Sequence, residues 1–91
     1  MMNPLIRIST KKNKKYDIYV NNHWVSFGDK RYEHYKTSDR IPKKLHIYDE
    51  HHDKERRKRY RARASKILNK YGEPTYKDKN SPNYWSYNLL W

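Results

Sequence analysis

The residues best placed to do chemistry are the arginines and lysines between residues 53 and 71. Wound as an α-helix at about 100° per residue, five of them recur at alternating steps of three and four and form one basic stripe: Arg56, Arg59, Arg63, Lys66 and Lys70. Arg57 and Arg61 lie beside an adjacent apolar face. There the alkyl stems of both arginines can lie against aromatic rings while the guanidinium groups stay free. We predict that these basic residues bind anionic groups or an acidic partner: Arg56, Arg57, Arg59, Arg61, Arg63, Lys66 and Lys70.

Catalytic groups are harder to assemble from this sequence. The histidines are scattered and cysteine is absent, so there is neither an H-E-x-x-H arrangement nor a thiol nucleophile. His46, Asp49, His51 and His52 supply metal-ligand types, but their spacing suits no common zinc motif, and a solvated turn before the helix is the better interpretation. Two glycines cannot form a glycine-rich phosphate loop. We predict a protein that is not an enzyme, with no catalytic residue, metal, cofactor or small-molecule substrate.

Charge restricts the class of partner. The chain has 22 Lys and Arg against 10 Asp and Glu, a net charge of +12, which attracts polyanions such as nucleic acid, anionic membranes or acidic protein surfaces. Such a composition can also serve only to keep a small protein in solution. No apolar run approaches the roughly 20 residues that span a bilayer, so no membrane span is expected.

A long helix is predicted over about residues 53–71. Its apolar face consists of Tyr60, Ala64, Ile67, Leu68 and Tyr71. We expect this face to be buried, because apolar residues at this spacing form the core-facing side of an amphipathic helix. Acidic residues at the start and lysines at the end complement the helix dipole, and Gly72 is the expected stop.

Alternating apolar residues predict a small antiparallel sheet before this helix. Strands are expected at about 15–20 and 23–28, with a third near 5–9. The Asn21-Asn22 pair between the first two suits a hairpin turn, because Asn tolerates positive φ. After the long helix, Ser81-Pro82 is a start signal for a short helix over about 82–90.

The predicted fold is α+β, in a single small domain over residues 1–91. It consists of a β-hairpin or three-stranded meander packed with one long basic amphipathic helix and a short aromatic C-terminal helix. Aromatic rings must compensate for few aliphatic residues, since hydrophobic residues make up 34% and the chain has 10 Tyr and 3 Trp. We expect them to wall a thin core or to anchor the chain in a partner: Tyr60, Tyr71, Tyr84, Trp85, Tyr87 and Trp91.

Three stretches of the chain carry a resemblance to a known family: Ser26–Lys36, His51–Arg63 and Ser81–Trp91. Together they resemble short basic proteins encoded by nucleocytoplasmic large DNA viruses, of the giant-virus and chlorella-virus type, a family without an assigned activity. The resemblance covers the chain from about Lys14 to its end. Family members usually carry a His after the Ala-Arg pair of the basic run; here Ala64 takes that place, which favours a packing role there.

Two functions remain after these exclusions. The resemblance implies a structural protein of a large DNA virus particle, a minor capsid or core component that binds other virion proteins through its basic helix and aromatic surfaces. The basic stripe favours the alternative, a sequence-nonspecific nucleic-acid-binding or genome-packaging protein that places the helix on the phosphates of DNA or RNA. The expected location is the virion, and the host cytoplasm or viral factory during assembly.

Overall fold

Three antiparallel strands and two helices make up the protein in a computed structural model, which describes residues 5–91. The elements are β1 (Leu5–Ile8), β2 (Lys14–Val20), β3 (His23–Asp29), α1 (Lys54–Ala64) and α2 (Pro82–Leu89), with 3-10 turns at Lys43–Leu45 and Thr75–Lys77. The strands follow one another as a meander in the order β1-β2-β3. This architecture confirms the predicted small α+β class. Neither helix of the described chain is long and apolar enough to cross a membrane.

The turn between β2 and β3 forms as predicted. Asn21 and Asn22 both have positive φ, at 48° and 67°, which is what a two-residue type I′ turn requires. Val20 pairs with His23 directly across it. The turn therefore fixes the register of the hairpin and places the even-numbered residues Tyr16 and Ile18 of β2 in the core.

The core lies between one face of the sheet and α2. Its buried residues are Tyr16, Ile18, Val25, Phe27, Ile41, Trp85, Leu89 and Leu90. Tyr16 is the only fully buried tyrosine between residues 5 and 91. Its hydroxyl donates to the carbonyl of Leu45 at 2.7 Å and accepts from the N–H of Ile47 at 3.0 Å, and burial raises its pKa to about 12. The core therefore depends less on tyrosine than the composition predicted.

The helix α1 ends at Ala64, so the prediction of a helix reaching about Tyr71 is wrong. The side-chain amide of Asn83 donates to the Ala64 carbonyl at 2.9 Å, and the Ser65 hydroxyl donates to the carbonyl of Ala62 at 2.9 Å. Carbonyls near the end of a helix need partners from outside it, and these two side chains supply them. The hydrogen-bond ladder stops there, even though the apolar periodicity of the sequence continues.

A turn takes the place of the last predicted helical turns. The side-chain oxygen of Asn69 accepts from the N–H groups of Tyr71 and Glu73, at 2.8 and 3.0 Å. As a result Ile67, Leu68 and Tyr71 are 52%, 56% and 74% exposed. The prediction that they continue a buried apolar face is wrong, because residues share a helix face only while the helix persists.

Candidate anion-binding cleft

A cleft of about 690 Å³ opens between the end of the sheet, α1 and the C-terminal residues. Its basic lining consists of Lys14, Lys15, Arg56, Arg59 and Arg63, with His34 beside them. The volume falls within the roughly 300–1,000 Å³ that is usual for sites of small molecules and cofactors. The cleft therefore brings together basic groups from β2 and α1 that are far apart in the sequence.

Three arginines of α1 line one wall of this cleft. Arg56, Arg59 and Arg63 are exposed and lie three and four residues apart, so they face the same side of the helix. None of them forms an ion pair with a carboxylate among residues 5–91, where Arg7–Asp17 and Arg31–Asp29 are the pairs that involve arginine. The wall therefore presents three positive charges that no side chain of the described chain neutralises.

Two other arginines of the predicted set have intramolecular partners. The Nε–H groups of Arg57 and Arg61 both donate to the Trp91 carbonyl, at 2.7 and 3.1 Å. Their guanidinium groups lie over aromatic rings, Arg57 at 5.0 Å from the centroid of Tyr35 and Arg61 at 4.5 Å from that of Tyr87. The prediction that these guanidinium groups are free is wrong, and their intramolecular contacts separate them from the three exposed arginines of the wall.

The two lysines at the end of the predicted stripe do not join the cleft. Lys66 and Lys70 are exposed, but both lie beyond the last residue of α1. The ammonium group of Lys70 lies 5.1 Å from the ring centroid of Tyr71. The stripe is therefore shorter than predicted, because its last two members leave the helix.

Aromatic contacts fix α1 to the end of the chain. Tyr60 stacks on Trp91 with ring centroids 4.1 Å apart and an interplanar angle of 9°. Trp91 also contacts the ring of His51, at 5.0 Å between centroids. Through its stacking on Tyr60, Trp91 holds the arginine wall of α1 in place beside the cleft.

The other predicted aromatic residues divide between the core and the surface. Trp85 is buried, and Tyr84 contacts it edge-on at 4.7 Å between centroids. Tyr87 lies 5.0 Å from Tyr76. Tyr71 belongs to neither contact and is exposed in the turn after α1. The predicted aromatic contacts therefore form around α2, and Tyr71, which was predicted to lie at the end of the long helix, takes no part in them.

Lys15 lies at the inner end of the cleft. Its residue is only 2% exposed, and its ammonium donates to the Tyr32 carbonyl at 2.7 Å and lies 2.8 Å from Nδ1 of His34. Burial lowers the pKa of Lys15, while more distant carboxylates oppose that effect. No carboxylate forms an ion pair with it within the described chain. An isolated buried cation is costly, and a bound anion would compensate it.

His34 orients this lysine. Its Nε2 lies 2.8 Å from the hydroxyl oxygen of Thr37, and that hydroxyl donates to the Ile47 carbonyl at 3.0 Å. Because the hydroxyl hydrogen is used there, we infer that Nε2 of His34 carries the ring hydrogen and that Nδ1 accepts from Lys15. Burial, reinforced by the charge of Lys15, lowers the pKa of His34 to about 4. The ring is therefore neutral at neutral pH.

Gly28 of β3 allows the side chain of Lys15 in β2 to pack closely against the backbone of the neighbouring strand. Its φ is +79°, and a Cβ built there would lie 2.9 Å from Cβ of Lys15 and 3.0 Å from Cδ1 of Leu90. Both the left-handed conformation and the lack of space require glycine. The inner end of the cleft is thus formed by close packing of backbone against the lysine stem.

Two carboxylates also line the cleft, and one of them is already paired. Arg31 donates to both oxygens of Asp29, at 3.0 and 2.8 Å, and these bonds lower the pKa of Asp29 to about 2. Glu33 is exposed. Since Arg31 balances the charge of Asp29, the positive groups of the cleft outnumber the unpaired carboxylate that faces them.

Sequence reasoning found the arginine wall but missed the inner end of the cleft. Helical spacing identified Arg56, Arg59 and Arg63. Lys15 and His34 carried no comparable signal, because a lysine in a strand and a histidine in a loop are usually exposed. Their burial results from contacts between residues that are 19 positions apart.

No protein-family model, curated protein or solved structure matches this chain. The resemblance to proteins of large DNA viruses therefore stays a prediction. Chemically, the cleft combines exposed guanidinium groups, which bind phosphate and carboxylate through paired N–H donors, with a buried ammonium group. This combination suits anion binding.

Proposed function

We propose that this protein binds nucleic acid without sequence preference, through the phosphates. The observation that carries this proposal is the wall of Arg56, Arg59 and Arg63, which faces a cleft and has no carboxylate partner among the described residues. Guanidinium groups bind phosphate oxygens in pairs and with charge assistance. A net charge of +12 adds long-range attraction for a polyanion.

The spacing of the wall suits a ligand with closely spaced charges. From Arg56 to Arg63 the helix rises by about 10 Å. One strand of duplex DNA carries roughly three phosphate charges over that length of the helix axis. Several phosphates therefore come within reach of the wall at once, and the exposed ring of Tyr32 beside it offers a surface on which an unpaired base can stack.

Replacing Arg56, Arg59 and Arg63 together by Gln is expected to weaken DNA binding and to flatten its salt dependence. Each phosphate contact contributes about −0.9 to the log-log slope on duplex DNA and about −0.7 on a single strand, so the slope should shrink by about 2–3. The melting temperature should stay close to that of the wild type, since these side chains have no ion-pair partner between residues 5 and 91. Fluorescence anisotropy between 50 and 200 mM salt measures the slope.

The matched control changes Lys43, Lys44 and Lys58 to Gln. These lysines are also exposed, and they lie outside the cleft, so the variant loses the same charge without touching the arginine wall. Its slope should stay near that of the wild type. An equal decrease of the slope in both variants would show that net charge alone governs binding. A wild-type protein that retains no DNA or RNA at low salt would contradict the proposal.

A second candidate function is a non-enzymatic structural role in the particle of a large DNA virus, as a minor capsid or core component. The observation that favours it is the turn after α1, where Ile67, Leu68 and Tyr71 expose apolar surface. These three residues lie within five positions of the chain, and apolar surface exposed in one place is typical of protein interaction sites. The basic residues around this turn would match an acidic neighbour in the particle.

Particle fractionation tests this second function. We expect the protein to stay with the capsid shell after nuclease and high salt, conditions that release a protein held only by phosphate contacts. Changing Ile67, Leu68 and Tyr71 together to Ser should release it, whereas Tyr48→Ser, at another exposed ring, should not. Release of the wild-type protein with the genome would contradict the structural role.

A further inference from the structure

We propose that the cleft binds a phosphate monoester, such as the phosphorylated 5′ end of a nucleic-acid strand or a free nucleotide, with Lys15 as the cation at its inner end. This inference rests on the proposed function and names the chemical group that the same site takes. It concerns a residue that the arginine wall does not include.

The depth of the cleft favours the end of a ligand. Lys15 is 2% exposed, while Arg56, Arg59 and Arg63 are exposed at the wall. A phosphate inside a continuous strand has chain on both sides, so it can contact the wall but cannot reach a buried group. A terminal phosphate is attached on one side only and can approach Lys15 more closely.

The charge of the site also favours a monoester. A phosphate monoester carries about −1.5 to −2 charges at pH 7 and three strongly accepting oxygens, whereas an internal phosphodiester carries one charge. The site offers Lys15 at its inner end, with Arg59 and Lys14 among its other lining cations. The second negative charge of a monoester can therefore pair with Lys15, with which the single charge of an internal diester does not pair.

The hydrogen bonds of Lys15 leave one donor for the ligand. An ammonium group has three N–H donors. Two of them go to the Tyr32 carbonyl and to Nδ1 of His34. These two bonds hold the ammonium in one position, so the remaining N–H is oriented before any ligand arrives, and little conformational entropy is lost on binding.

The carboxylates of the cleft do not prevent this binding. Asp29 is held by two hydrogen bonds from the side chain of Arg31, so its charge is balanced outside the site. Glu33 is exposed, where water screens it. The ligand phosphate therefore meets an excess of positive charge.

The test compares a short oligothymidylate with a 5′-phosphate and the same oligonucleotide with a 5′-hydroxyl. Wild-type protein should bind the phosphorylated form about tenfold more tightly, the usual size of one added charge-assisted hydrogen bond. Lys15→Met should bind both forms equally. The control Lys12→Met, at an exposed lysine outside the cleft, should keep the tenfold preference.

A competition experiment on the wild-type protein avoids any loss of folding in the variant. Adenosine 5′-monophosphate should displace the phosphorylated oligonucleotide at concentrations where adenosine has no effect. Displacement at equal concentration would assign the site to free nucleotides, and a need for a large excess would assign it to strand ends; both outcomes support a monoester site.

Two results would overturn the inference. If the wild type binds both oligonucleotides equally and adenosine 5′-monophosphate competes no better than adenosine, the monoester site fails while nucleic-acid binding stands. If neither oligonucleotide binds at low salt, both proposals fail.

Discussion

The substitution Trp85→Ala is expected to lower the free energy of unfolding by about 3–5 kcal/mol, the usual cost of removing a buried aromatic side chain. Trp85 is 4% exposed and lies in the cluster between the sheet and α2. Its indole N–H donates to the Lys79 carbonyl at 2.8 Å. The substitution therefore leaves a cavity and also removes a bond that ties the preceding loop to α2. Urea denaturation followed by circular dichroism measures the loss.

Two further variants separate the causes. Trp85→Phe keeps most of the apolar ring and loses the indole N–H, so its cost should be smaller than that of Trp85→Ala. Ile67→Ala is the control for an apolar residue outside the core, since that side chain is 52% exposed, and it should change stability by less than about 0.5 kcal/mol. A loss at Ile67 as large as that at Trp85 would place Ile67 in the core, as the apolar periodicity predicted.

The sheet could be predicted from the sequence because its signals are local. Alternating residues in β2 and β3 flank Asn21-Asn22, and a two-residue turn of this type determines how the strands pair. Asp53 likewise marks the start of α1, where its carboxylate accepts from the N–H groups of Glu55 and Arg56. In each case the deciding contacts lie within a few residues of the signal.

The end of α1 could not be predicted from the same kind of signal. Periodicity placed Ile67 and Leu68 on the face of Ala64, and Gly72 offered a plausible stop. At the actual end, Asn83 reaches the Ala64 carbonyl from 19 residues away, in addition to the local bond from the Ser65 hydroxyl to the Ala62 carbonyl. The contribution of a tertiary hydrogen bond to a helix boundary leaves no pattern in the helical sequence itself.

The candidate site also has one part that the local sequence predicts and one part that depends on tertiary packing. The spacing of Arg56, Arg59 and Arg63 follows from helical geometry alone, so the sequence was sufficient for the wall. Which arginines remain free depends on the path of the C-terminal residues, because Arg57 and Arg61 are occupied by the Trp91 carbonyl. The sequence placed all five arginines in one set, and only the packing of the chain end against α1 separates them.

Lowering the pH from 7 to 4 is expected to remove on the order of 3 kcal/mol of stability through His34. Burial lowers the pKa of His34 from 6.5 to about 4 in the folded protein. Between these values the unfolded chain binds a proton that the folded protein does not, so stability falls as the pH falls through this window. His51, whose pKa burial also lowers, adds in the same direction.

The carboxylates affect stability at lower pH than the histidines, so the two contributions can be distinguished. Burial alone would raise the pKa of Glu50, but hydrogen bonds from the Thr37 N–H and from His52 outweigh it and lower the pKa to about 2. Its contribution is therefore present above its ordinary value of 4.5 and is lost as the pH falls from there towards 2. A stability loss that begins near pH 6.5 thus belongs to histidine, and one that begins near pH 4.5 to carboxylates.

Urea midpoints between pH 7.5 and 4 provide the measurement, together with NMR titration of the His34 ring. His34→Gln removes the titrating group, so its stability should be lower at pH 7 but should depend less on pH between 6.5 and 4. His23→Gln, at an exposed position in the β2–β3 hairpin, should keep the wild-type dependence. A His34 ring that titrates near 6.5 in the folded protein would mean that the imidazole is not enclosed. In that case protonation would break the bond from Lys15 to its Nδ1, which orients the cation of the proposed phosphate site, already as the pH falls through 6.5.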